Sequence, residues 1–126
     1  MRITLAVALA AVLVAGCSVD TAGPARAAEG FHSALASQQL DEACAMLAKQ
    51  TADQLPDPGQ SCAEALRELN LGAGGPVTEV SVWGDEAQVR LAGDTLFLRH
   101  YRDGWRVKAA GCRPVHDLPY ECEVEN

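Results

Sequence analysis

Five cysteines, three histidines and a few aspartates are the side chains of this sequence that could do chemistry. Cys44, Cys62, Cys112 and Cys122 form an even set, which in a chain that leaves the cytoplasm reads as two disulfides. Three pairings are open, and pairing of neighbours is expected. Cys44–Cys62 would pin the second helical segment to the third, and Cys112–Cys122 would tie down the C-terminal tail. By loop-closure entropy each is worth about 3 kcal/mol. A metal site is the alternative, but neither pair is a CxxC and His116 is an isolated candidate ligand, so neither metal nor cofactor is expected. His32 falls in a helical stretch, where a solvated or boundary histidine is expected rather than a general base. His100 alternates with Leu96 and Leu98, so His100 and Tyr101 are the candidate pocket residues. Asp85, Asp94 and Asp103 all sit in turn dipeptides and are expected to serve turn geometry. Trp83 and Trp105 read as core or rim packing. No serine lies in a nucleophile elbow, and "GAGG" follows a helix instead of opening one, so no phosphate loop is present. No catalytic residue is assigned.

Cys17 is the odd cysteine, and its surroundings explain it. Arg2 is the only charge before Asp20, and Ile3 to Val14 is almost purely Ala, Val, Leu and Ile. A basic start, a short apolar stretch and a small-residue exit have the form of an export signal, too short for a spanning helix. The exit "VAGC" resembles a bacterial lipobox, which implies cleavage before Cys17 and acylation of its thiol. An ordinary signal cut at Ala25-Arg26-Ala27 fits less well, because that site lies well past the apolar run. The expected organisation is a signal peptide over residues 1–16, a lipidated tether over 17–24 and one domain over 25–126. The protein is then expected on the extracytoplasmic face of the cell membrane, held by its lipid.

The net charge of −7 becomes one unit more negative when Arg2 is removed. So acidic a chain competes poorly for nucleic-acid phosphate or anionic lipid, which excludes a nucleic-acid partner and assigns attachment to acyl chains. About 110 residues remain after cleavage, enough for one domain with a modest core. Eight arginines against two lysines, with abundant Ala and Gly, suggest a GC-rich genome.

The elements that must position these residues follow from period. Ala28, Phe31 and Leu35 are spaced for one helix face, Ser37-Gln38-Gln39 interrupts it, and Leu40, Cys44 and Leu47 restart it. "DQLPDPGQ" is a loop. Ser61 and Glu64 form a capping box that opens a third helix, with Cys62, Leu66 and Leu69 inward and "GAGGP" beyond its end. From Pro76 the period becomes two. Four strands, "VTEVSVW", "AQVRLA", "TLFLRHY" and "WRVKAAGC", are separated by Gly84-Asp85, Gly93-Asp94 and Asp103-Gly104, which predicts an antiparallel meander. The third strand is apolar on both faces, so it should be central. The tail "RPVHDLPYE" has two prolines and neither period.

The fold class is therefore α+β, with N-terminal helices packed on a curved four-stranded antiparallel meander. The stretches "FHSALASQQLDEACAML", "CAEAL", "VSVWGDEAQVRL" and "FLRHYRDGWRVKAAGC" resemble the ketosteroid-isomerase-like superfamily that includes nuclear transport factor 2. More narrowly, they resemble small actinobacterial lipoproteins with that core. The resemblance implies a cone-shaped roll, with an apolar pocket between helices and sheet where the cone is open. It leaves two roles: a non-catalytic module binding an envelope protein or a small apolar ligand, or an isomerase-like enzyme using the pocket.

Overall fold

Ala28 and Phe31, spaced for one helix face, are fully buried on α1 (Ala22–Ala36). The structure is a computed structural model and describes residues 19–116 and 118–126. The expected signal peptide, Cys17 and Ser18 lie outside those residues. Residues 22–24, expected in the tether, belong to α1 instead. Pro24 sits in the first turn, where its missing N–H leaves no hydrogen bond unmade, and it is fully buried.

The stretch from Leu40 to Gln50, expected as one helical segment, is split into α2 (Leu40–Ala45) and α3 (Lys49–Gln54). Tertiary pairing overrides local propensity here. The Ala48 N–H donates to the Val107 carbonyl at 2.8 Å, and the Val107 N–H donates to the Met46 carbonyl at 2.9 Å. This short parallel bridge draws Leu47 into the core. α4 (Cys62–Leu69) opens on the expected capping box: Ser61 Oγ accepts from the Glu64 N–H, and the Glu64 carboxylate accepts from the Ser61 N–H. Asn70, in the left-handed region at φ 47°, closes it.

β1 (Val77–Trp83), β2 (Glu86–Leu91), β3 (Asp94–Tyr101) and β4 (Gly104–Val115) follow one another in an antiparallel sheet that has five strands. A fifth strand, β5 (Leu118–Val124), corrects the four-strand expectation. It pairs antiparallel with β4, with Cys112 opposite Cys122. The tail shows no alternation of its own because it is an edge strand, where proline is tolerated and register comes from the partner. β3 is central, as its two apolar faces require. Its inner face carries the fully buried Leu96 and Leu98; on its outer face Phe97 meets the Tyr120 ring edge-on at 5.2 Å.

Val89, Leu96, Leu98 and Val107 from the sheet meet Phe31 and Leu66 from the helices, and β5 adds Val124. All seven side chains are fully shielded, so the space between helices and sheet is filled. Among the described residues no helix is long and apolar enough to cross a membrane.

Candidate functional site

Alternation along β3 puts Leu96 and Leu98 inside, and the same parity puts Asp94 inside. On α1, His32 follows Ala28 by four residues and so shares its inward stripe. The two side chains meet 62 residues apart in sequence, His32 Nε2 to Asp94 Oδ2 at 2.6 Å, with only 8% and 5% of their surfaces exposed. This corrects both expectations: His32 is neither solvated nor a boundary residue, and Asp94 does more than shape a turn.

The Asp94 carboxylate accepts four hydrogen bonds. The Thr95 and Cys112 N–H groups donate to Oδ1 at 2.7 and 3.1 Å. The Gly111 N–H, at 3.2 Å, and His32 Nε2 donate to Oδ2. Gly111 lies at φ +64° within β4, so the strand bends there and turns two consecutive amides toward the carboxylate. A carboxylate has about four acceptor sites, and here all are filled. Asp94 thus ties α1, the start of β3 and the bend of β4 together. With Nε2 turned to Asp94, Nδ1 is the ring nitrogen that faces elsewhere.

His32 also lines a recess of about 430 Å³ between α1 and the 71–75 segment, with Glu29, Ser33, Leu71 and Leu91. The backbone of that segment closes on the ring: a Cβ on Gly74 would lie 2.6 Å from His32 Cγ. The ring cannot retreat without stretching its bond to Asp94. Gly74→Ala should therefore cost about 1–3 kcal/mol by overpacking. Urea unfolding checks this, and a loss within error of zero would show that the ring has room to move.

Residues that orient a histidine in this way can serve a catalytic base, but a nucleophile or a bound proton donor must then face the free nitrogen. Among the described residues no hydroxyl or thiol is hydrogen-bonded to His32. The arrangement is a buried polar clamp.

The remaining expected site residues lie elsewhere. Cys44–Cys62 and Cys112–Cys122 are both disulfides, with Cα separations of 6.2 and 3.9 Å. His100 stands half exposed at the end of β3, its ring 5.0 Å from that of Trp105 and its Nδ1 4.0 Å from Asp85. Tyr101 borders a shallow recess of about 370 Å³ with Leu47, Ala52, Asp103 and Arg106, which His100 does not line. The Arg106 guanidinium bonded to Asp103 at 2.6 Å holds that carboxyl below the usual carboxylate range. That ion pair is therefore present at neutral pH and is lost only as pH falls through the lowered value. Trp105 packs against the core as expected, but Trp83 is 53% exposed. Among the described residues no three His, Cys, Asp or Glu side chains gather to hold a metal ion. Comparison with protein-family models, with curated proteins and with solved structures finds no match, so the geometry alone must carry the functional reading.

Proposed function

We propose that this protein is a non-catalytic binding module of the cell envelope, held on the extracytoplasmic face of the membrane by acyl chains on Cys17. In this reading it is a small actinobacterial-type lipoprotein whose ketosteroid-isomerase-like cone has been closed. The observation that carries the non-catalytic part is the filled interior. Phe31, Leu66, Leu96 and Leu98 occupy the space where an isomerase-like pocket would lie, and the Asp94 carboxylate beside it has no unfilled acceptor site. Two disulfides suit an oxidising compartment.

Two variants test the reading. Cys17→Ser should leave an unprocessed precursor that washes off the membrane, seen by mass spectrometry of the N-terminal peptide. A wild-type chain beginning at Ala28 without acyl mass would remove the anchor. His32→Gln keeps an amide donor for Asp94 but discards the imidazole base. Cells carrying it should behave like wild type. If they reproduce the deletion while the protein stays folded and abundant, His32 does chemistry and the enzyme alternative wins.

A further inference from the structure

The three large apolar side chains that stand exposed among the described residues are Val19, Trp83 and Tyr101. They gather at one end of the molecule. Trp83 faces Glu86 across β1–β2, and Glu86 faces Arg99 across β2–β3. Trp83 thus lies two strands, about 10 Å, from Arg99. Tyr101 is two residues beyond Arg99 on the same outer face, with the Arg99 guanidinium 6.0 Å from its ring centre. The β1–β2 and β3–β4 turns are adjacent there, since the His100 N–H donates to the Asp85 carbonyl at 2.7 Å. α1 begins at this end too: a Cβ on Gly23 would touch the Trp105 ring at 2.9 Å. Val19 precedes that helix by three residues.

The chain leading out of the described residues therefore leaves from the same end. Four residues separate Cys17 from Ala22, and the five steps of chain between them span at most about 18 Å. An acyl group on Cys17 would hold this end, and no other, against the bilayer. Charge permits the approach. Each acidic side chain on the two turns has a basic neighbour: Asp85 has His100, Glu86 has Arg99 and Lys108, and Asp103 has Arg106. Asp20 accepts from the Ala22 N–H at the start of α1, and Arg102 adds an exposed positive charge at the turn. Glu121 and Glu123 lie toward the other end of β4, beside Arg113 and Gly111, while Glu125 borders a recess with Glu86 and Lys108. Trp, Tyr and Arg side chains with an apolar body and a polar tip are the residues that settle at the headgroup level.

We infer that the end of the sheet carrying Trp83, Tyr101 and Arg102 is a membrane-docking surface, which seats the lipid-anchored domain on phospholipid headgroups in one fixed orientation. This inference rests on the anchor proposed above for its geometry. The surface presents the rest of the domain, including the recess beside His32, away from the bilayer.

The test uses the full acylated protein in vesicles of phosphatidylethanolamine and phosphatidylglycerol that carry a headgroup nitroxide lipid. Trp83→Phe should lose at least about half of the tryptophan quenching seen in wild type, because Trp83 is the more exposed tryptophan and Trp105 is partly buried against the core. A photoreactive residue at position 83 should crosslink to lipid in native envelopes. The acyl mass of the N-terminal peptide is read from the same sample. Acyl mass with equal quenching in both proteins overturns the docking surface and leaves the anchor standing. Missing acyl mass overturns the anchor, while Trp83-dependent quenching on the vesicles would still uphold the surface. A crosslink from position 83 to an envelope protein instead of lipid overturns the docking surface in favour of a protein partner.

Discussion

Asp94→Ala should lower the unfolding free energy by about 3–5 kcal/mol, the largest loss expected from any polar substitution in this chain. The carboxylate has four donors: His32 Nε2 and the N–H groups of Thr95, Gly111 and Cys112. Alanine strands these buried donors without an acceptor, and the bend at Gly111 offers them no strand partner. Asp94→Asn keeps one accepting oxygen for Thr95 and Cys112 but points an amide at the Gly111 N–H, so about 1–3 kcal/mol is expected. A double-mutant cycle with His32→Ala should give a coupling of about 0.5–3 kcal/mol, as for two groups in one network. Urea unfolding of the oxidised protein measures all of these. A loss below about 1 kcal/mol for Asp94→Ala would mean that water replaces the carboxylate, and the clamp would not hold the fold.

Removing the Cys112–Cys122 disulfide, by serine at both positions, should cost as much as removing Cys44–Cys62 or more. Loop closure alone gives about 3 kcal/mol for each. From the sequence the tail pair should matter less, because it orders a short peripheral segment. The structure reverses that order. Cys122 holds β5, and β5 carries Val124 into the core, fully buried. Cys112 in turn supplies one of the amides held by Asp94. Loss of this crosslink therefore loosens an apolar anchor and the polar clamp together, whereas Cys44–Cys62 joins α2 to α4 above the core. Thermal unfolding of the two double-serine variants ranks them. A clearly smaller drop for the tail pair would return β5 to the periphery.

Much of the fold is legible in residue spacing. The capping box at Ser61 and Glu64, the turns at Gly84-Asp85 and Gly93-Asp94, and the inward set Val89, Leu96 and Leu98 follow from local chemistry and period. A helix cap needs one side chain and one amide a turn away, and a strand's two faces are written in its alternation. The neighbour pairing of the four cysteines also held. What local pattern could not supply came from contacts between distant segments. Met46–Ala48 leaves its helix because β4 offers hydrogen bonds at Val107. The tail becomes β5 because β4 and a disulfide set its register. Trp83 stands exposed at the outer end of β1.

The sequence by itself determined the α+β class with helices before strands, the crosslinked cysteines and the expectation of an exported, lipid-anchored chain, since each rests on neighbours within a few residues. Only the tertiary structure decided that His32 and Asp94 form one buried pair, that the interior is filled, and that Trp83, Tyr101 and the start of α1 share one end. The physical reason is that a side chain's parity or helix face says which way it points. What it meets there depends on how separate elements stack, and the meeting of α1 with β3 is written in neither stretch alone.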